Sequence, residues 1–143
     1  MESFCRKLSM RARLVFVRFV VAEIDDDSQH ELGVFQAIDK LRRRGILTHQ
    51  EEQQETAIGK WFDKNLAKPT RFTTSKPPHY RKQKKAISWF KDSAHEHISQ
   101  VRLLVAILER DGVSVRMLTT ARVGYVAYED EHQIVAEPFA GER

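Results

Sequence analysis

Cations and aromatic rings are interleaved through one stretch of this 143-residue chain in the mixture that a phosphate-binding surface uses. Residues 68–91 hold eight positive side chains, Lys68, Arg71, Lys76, Arg81, Lys82, Lys84, Lys85 and Lys91, and not one Asp or Glu. The whole chain carries a formal charge of +4, so everything outside this stretch sums to −4. The positive charge is therefore local, and local charge is what a polyanion detects. His79, Tyr80, Trp89 and Phe90 lie among the cations, with Phe72 just upstream. Lysine and arginine neutralise phosphates and release counterions, while rings stack on bases at about 1–3 kcal/mol each. The stretch also runs into the expected start of a long helix, whose free N–H groups and dipole favour an anion. The anion-binding set is thus Arg71, Lys76, His79, Tyr80, Arg81, Lys82, Lys84, Lys85, Trp89 and Lys91. Weighed against it is a solvated lysine-rich loop with no ligand, in which Phe90 belongs to the core.

A second constellation is Asp92-Ser93-Ala94-His95-Glu96-His97. On a helix, His95 and His97 diverge by about 200° and cannot share a metal ion. Asp92, His95 and Glu96, with Ser88 and Ser99, fall at spacings of three and four, which is one helical face. A carboxylate beside an imidazole makes a general base or a partial metal site, and would serve hydrolysis of a phosphate ester. The plainer reading is a solvated polar face, with His97 a satisfied, partly buried residue at its border. A third cluster, Glu129, Asp130, Glu131 and His132, sits at a hairpin tip near Tyr125, Tyr128 and Glu137. Clustered carboxylates suit a hard divalent cation, although acidic tips are mostly solvated turns. No phosphate-cradling glycine run, nucleophile elbow, HExxH or paired CxxC is present, and no cofactor is implied. Cys5 is the single cysteine, so an internal disulfide is excluded and a reducing compartment, the cytoplasm, is expected. No apolar run approaches the roughly 20 residues that span a bilayer, and residues 1–10 lack the apolar centre of a signal peptide.

These groups need a scaffold. Residues 1–10 are expected as an N-terminal tail, with Met10 a second possible start; residues 11–139 as one domain; residues 140–143 as a C-terminal tail. Residues 11–24 (RARLVFVRFVVAEI) are apolar on both parities and predict a long strand covered on both faces. Ser28-x-x-Glu31 and Thr48-x-x-Glu51 read as capping boxes opening two helices, the first with Leu32, Phe35, Ile38 and Leu41, the second with Ala57, Ile58, Trp61, Phe62 and Leu66. Residues 69–83 have no period and read as a surface loop. Ile87, Phe90, Ala94, Ile98, Val101, Leu104, Val105 and Leu108 form the stripe of a long third helix stopping at Gly112. Residues 113–119, 123–128 and 133–137 predict three short strands, the last two a hairpin. The order β-α-α-α-β-β-β implies an α+β fold, with a mainly antiparallel sheet of about four strands and three helices on one face.

The expectation for function is a small non-enzymatic module that binds nucleic acid or another polyanion through residues 68–91. The alternatives are a regulatory or accessory module docking the same segment on an acidic protein, and a phosphate-ester hydrolase or nuclease built on Asp92, His95 and Glu96. An edge strand, or the exposed parts of Trp61 and Trp89, offer a surface for a homodimer.

Overall fold

A computed structural model describes residues 14–24, 31–68 and 86–139. The expected tails, residues 11–13, Ser28 of the first capping box and the core of the basic segment, residues 69–85, lie outside the described residues. The fold is α+β, with an antiparallel sheet and three helices. In chain order the elements are β1 (Phe16–Ile24), β2 (Glu31–Gly33), α1 (Val34–Arg43), α2 (His49–Asn65), β3 (Ile87–Lys91), α3 (His95–Arg110), β4 (Arg116–Thr120), β5 (Tyr125–Glu129) and β6 (Gln133–Glu137). No helix among the described residues is long and apolar enough to cross a membrane.

The sheet has six strands rather than about four, and both additions sit where a helix start was expected. Glu31 belongs to β2, so the Ser28-x-x-Glu31 box does not open α1; that helix begins three residues later, where the Gln36 side chain accepts from the Gly33 N–H at 3.2 Å. Ile87-Ser-Trp-Phe-Lys91 is likewise a strand, not the first turns of the long helix. Its apolar spacing fits a helix, but Ile, Trp and Phe suit a pleated surface, and tertiary pairing decides. Ile87–Phe90 pair with β6, and Phe90 and Lys91 with β1, so the segment has hydrogen-bonding neighbours on both edges. A turn closed by Ala94 N–H to Lys91 O at 2.9 Å then leads into α3 at His95. The Thr48 box does form: Thr48 Oγ1 accepts from the Glu51 N–H at 3.1 Å and Glu51 Oε1 from the Thr48 N–H at 3.0 Å.

The two parities of β1 serve two cores. Val17, Phe19 and Val21 face the helices and pack with Ala37, Ile38 and Leu41 of α1, Ile58 and Phe62 of α2, and Val101, Leu104, Ile107 and Leu108 of α3. Phe16 belongs to a smaller cluster with Val123, Ile134 and Ala136, against which Trp89 packs. Adjacent Trp89 and Phe90 therefore part company, Trp89 to the smaller cluster and Phe90 to the helical core, as strand alternation requires.

Candidate functional site

The sheet forks along one edge of β1. On the other edge β4 pairs continuously, from Phe16↔Thr120 to Val20↔Arg116. A residue can have a partner on each side only, so β3, which pairs Phe16 and Val17, and β2, which pairs Val20 and Ile24, must share the remaining edge end to end. Arg18 and Phe19 fall in the gap between them. The Arg18 guanidinium spans that gap, with Nη1 donating to the Ser88 carbonyl of β3 at 3.2 Å and Nη2 to the Glu31 carbonyl of β2 at 3.1 Å. Hydrogen bonds from a charged donor contribute about 1.5–3 kcal/mol, so one arginine substitutes for the missing ladder. Gly33, opposite Val20, gives it room: a Cβ there would lie 3.3 Å from Arg18 Nη2.

A cavity of about 510 Å³ opens at this fork. Phe19 and Val101 of the core, Val34 and Phe35 at the start of α1, Gly59, Phe62 and Asp63 on α2, Leu66 just past its end, and Ser88, Trp89 and Phe90 on β3 form its wall, with Arg18, Gly33, Ala67, Lys68 and Gln133. Its surface is mainly apolar and aromatic, with a few polar groups, which is the usual make-up of a ligand site. Gly59 is notable because a glycine inside a helix costs about 0.5–1 kcal/mol relative to alanine. A Cβ at that position would meet nothing within 4 Å, so packing does not require the glycine.

The same place holds both ends of the basic segment. Gln133, which pairs with Phe90 across β3 and β6, donates from Nε2 to the Ala67 carbonyl at 2.7 Å. Lys68 forms an ion pair with Asp63, and Lys91 Nζ lies 2.7 Å from Glu129 Oε2 with its side chain largely covered. These two cations are thus engaged within the fold. Trp89 stands on β3 with its indole Nε1 buried and without a hydrogen-bond partner among the described residues. Arg71, Lys76, His79, Tyr80, Arg81, Lys82, Lys84 and Lys85 lie outside the described residues.

The other two constellations resolve differently. Asp92, His95 and Glu96 are all exposed, and Asp92 occupies the turn before α3 while Ser88 is on β3. The single helical face expected of them would need the helix to begin before Ser88. At the hairpin, Asp130 is a structural acceptor, taking hydrogen bonds from the His132 N–H at 2.8 Å, the Gln133 N–H at 3.0 Å, the Tyr128 hydroxyl at 2.8 Å and Gln133 Nε2 at 3.1 Å. Burial alone would raise its pKa, but these donors outweigh burial and hold the carboxyl below its ordinary value. Donating to that carboxylate in turn pushes the Tyr128 phenol up. Glu129 is used by Lys91, and Glu131 stands 4.0 Å from His132 Nε2. The His132 ring stacks on His97 at 4.2 Å between centroids. His97 is buried, with Nε2 2.9 Å from the Asn65 carbonyl and the Trp61, Phe62 and Phe90 rings around it. No cluster of three metal-ligating side chains occurs among the described residues.

No protein-family model, curated protein or solved structure matches this chain. Function is therefore read from the fork, the cavity and the charge. Most of the wall lies outside the residues that the sequence singles out for binding, Arg18 and Gly59 among them. Arg18 is the lone cation in the run Phe16–Ile24, and Gly59 the lone glycine within α2.

Proposed function

We propose that this chain is a polyanion-binding module whose ligand is single-stranded nucleic acid, gripped through residues 68–91. The observation that carries this is charge segregation. The described residues hold thirteen Lys and Arg against fifteen Asp and Glu, whereas residues 69–85 hold six cations and no acid. The folded body is mildly acidic, and it secures the cationic segment at both ends through Gln133, Asp63 and Glu129. Fixed ends reduce the entropy lost when the segment settles on a ligand. Unpaired strands suit the aromatic residues among the cations better than a duplex, whose bases are already stacked. Binding rather than hydrolysis is favoured because Asp92, His95 and Glu96 stand exposed and form no enclosed acid–base group. A reducing, cytoplasmic setting accords with a lone cysteine, Cys5.

The test is polarisation titration of labelled single-stranded RNA, single-stranded DNA and duplex DNA at two salt concentrations, beside a Lys82→Glu/Lys84→Glu/Lys85→Glu variant. Micromolar binding that weakens with salt at about 0.7 log units per neutralised phosphate, and vanishes in the variant, is expected. Unchanged affinity and salt slope in the variant would sink the proposal. Absence of binding by the wild-type chain would transfer the segment to an acidic protein partner.

A further inference from the structure

We propose that the cavity at the sheet fork receives one unstacked base of the bound strand; this deepens the polyanion reading above and rests on it. The first support is composition. A base presents two flat faces and a polar edge, and the wall answers both, with the Phe35, Phe62 and Phe90 rings beside Asp63 and Gln133. Gln133 is 4% exposed and donates both amide hydrogens within the protein, to the Ala67 carbonyl and to Asp130 Oδ2. Its carbonyl oxygen is therefore the group left to accept, and an exocyclic amino group or ring N–H can donate to it. An acyl chain of similar bulk would cover the rings but strip water from this acceptor and from Asp63 without replacing the hydrogen bonds.

The second support is space that the described residues leave open beside exposed aromatic surface. Phe35 is 42% exposed although it follows buried Val34, and it meets Phe62 edge-on at 5.0 Å between centroids. Gly59 leaves the facing part of α2 bare at the cavity. At about 510 Å³ the cavity falls within the usual range for small-ligand sites. The third is position. Lys68 and Ser88, which flank residues 69–85 in the chain, both contribute to the wall, so the cavity adjoins the described residues on either side of the cationic stretch. Stacking on rings serves every base, and the site would bind with little sequence preference.

The experiment compares a labelled thymidine decamer with a decamer of the same phosphate number built from abasic sugar, using the full chain, Gly59→Leu and Phe35→Ala. Gly59→Leu adds bulk at the cavity wall without deleting any side-chain contact, and Phe35→Ala removes a half-exposed ring; thermal melts of both establish folding. The wild-type chain should bind the normal decamer on the order of tenfold tighter than the abasic one, and both variants should lose most of that difference while keeping abasic affinity. Equal wild-type affinity for the two decamers, still salt-dependent, would overturn base insertion and leave the polyanion reading standing. No binding of either would remove both. Equal losses on both decamers in Gly59→Leu, or loss of only a fluorescent fatty acid with oligonucleotide affinity intact, would also overturn the assignment.

Discussion

Gln133 reaches from the first residue of β6 to the carbonyl of Ala67, two residues beyond the end of α2, and closes the distance at 2.7 Å. Its backbone partner is Phe90, so a single side chain brings the exit and the return of the basic segment together.

Replacing Gln133 by Leu keeps the volume but leaves the Ala67 carbonyl without its donor. Loss of the bond and of that acceptor's partner should cost about 1–3 kcal/mol, read as a lower urea midpoint. The larger effect should fall on the basic segment: limited trypsin digestion should cut it faster in Gln133→Leu than in the wild-type chain. Equal digestion rates would show that the tie is not what secures the segment.

Asp130 gives stability a defined pH sign. Its folded pKa is depressed below the unfolded value of about 3.9. Its contribution is therefore present above that value and lost as pH falls through the folded pKa. Asp130→Asn removes a charged acceptor for Tyr128 and Gln133 and should destabilise by about 1–2 kcal/mol at pH 7. Melting curves of the two proteins should converge as pH drops below the carboxylate range; a gap constant with pH would count against the charge.

Much of the fold is legible in the sequence. Residues 133–137 form β6 with the expected bounds, the Thr48 box forms, and Gly112 stops α3 with φ 86°. These rest on local chemistry: alternation, capping and a left-handed stop. The misread segments, Glu31–Gly33 and Ile87–Lys91, are short and β-prone, and became strands because β1 had an edge to fill. That edge is non-local, so spacing of three and four near Phe90 read as helix. The candidate site divides in the same way. Charge bias needs only a count, but the cavity exists because two strands stop short of each other beside Arg18, which no local pattern announces.

Asp111 carries the opposite pH sign from Asp130. Burial of part of the group raises its pKa, the charge of the Glu51 carboxylate and a hydrogen bond with it add to this, and Arg110 only partly offsets them. A raised carboxyl pKa means the folded state prefers the neutral form, so stability is full below the unfolded value and falls as pH rises through the folded pKa. The residue also ends α3, where negative charge opposes the helix dipole. Asp111→Asn should therefore melt higher than the wild-type chain at pH 7, with the advantage fading toward pH 3. An advantage that persisted undiminished at acid pH would mean the substitution acts through packing.

Two glycines should respond in opposite directions to alanine. Gly124 has φ 120°, and a Cβ there would sit 2.1 Å from the Glu137 carbonyl oxygen, so Gly124→Ala must push β5 and β6 apart near Val123 of the smaller core. A loss above about 2 kcal/mol is expected from strained backbone and overpacking together. Gly59 is helical and faces open space, so Gly59→Ala should gain about 0.5–1 kcal/mol through helix propensity alone. A helix-interior glycine that stability would rather replace, lining the cavity at the sheet fork, is explained if the cavity must stay wide enough for a ligand. Thermal denaturation separates the cases: a Gly59→Ala protein no more stable than wild type would mean that Gly59 answers a backbone demand, and its place in the cavity wall would then carry no weight.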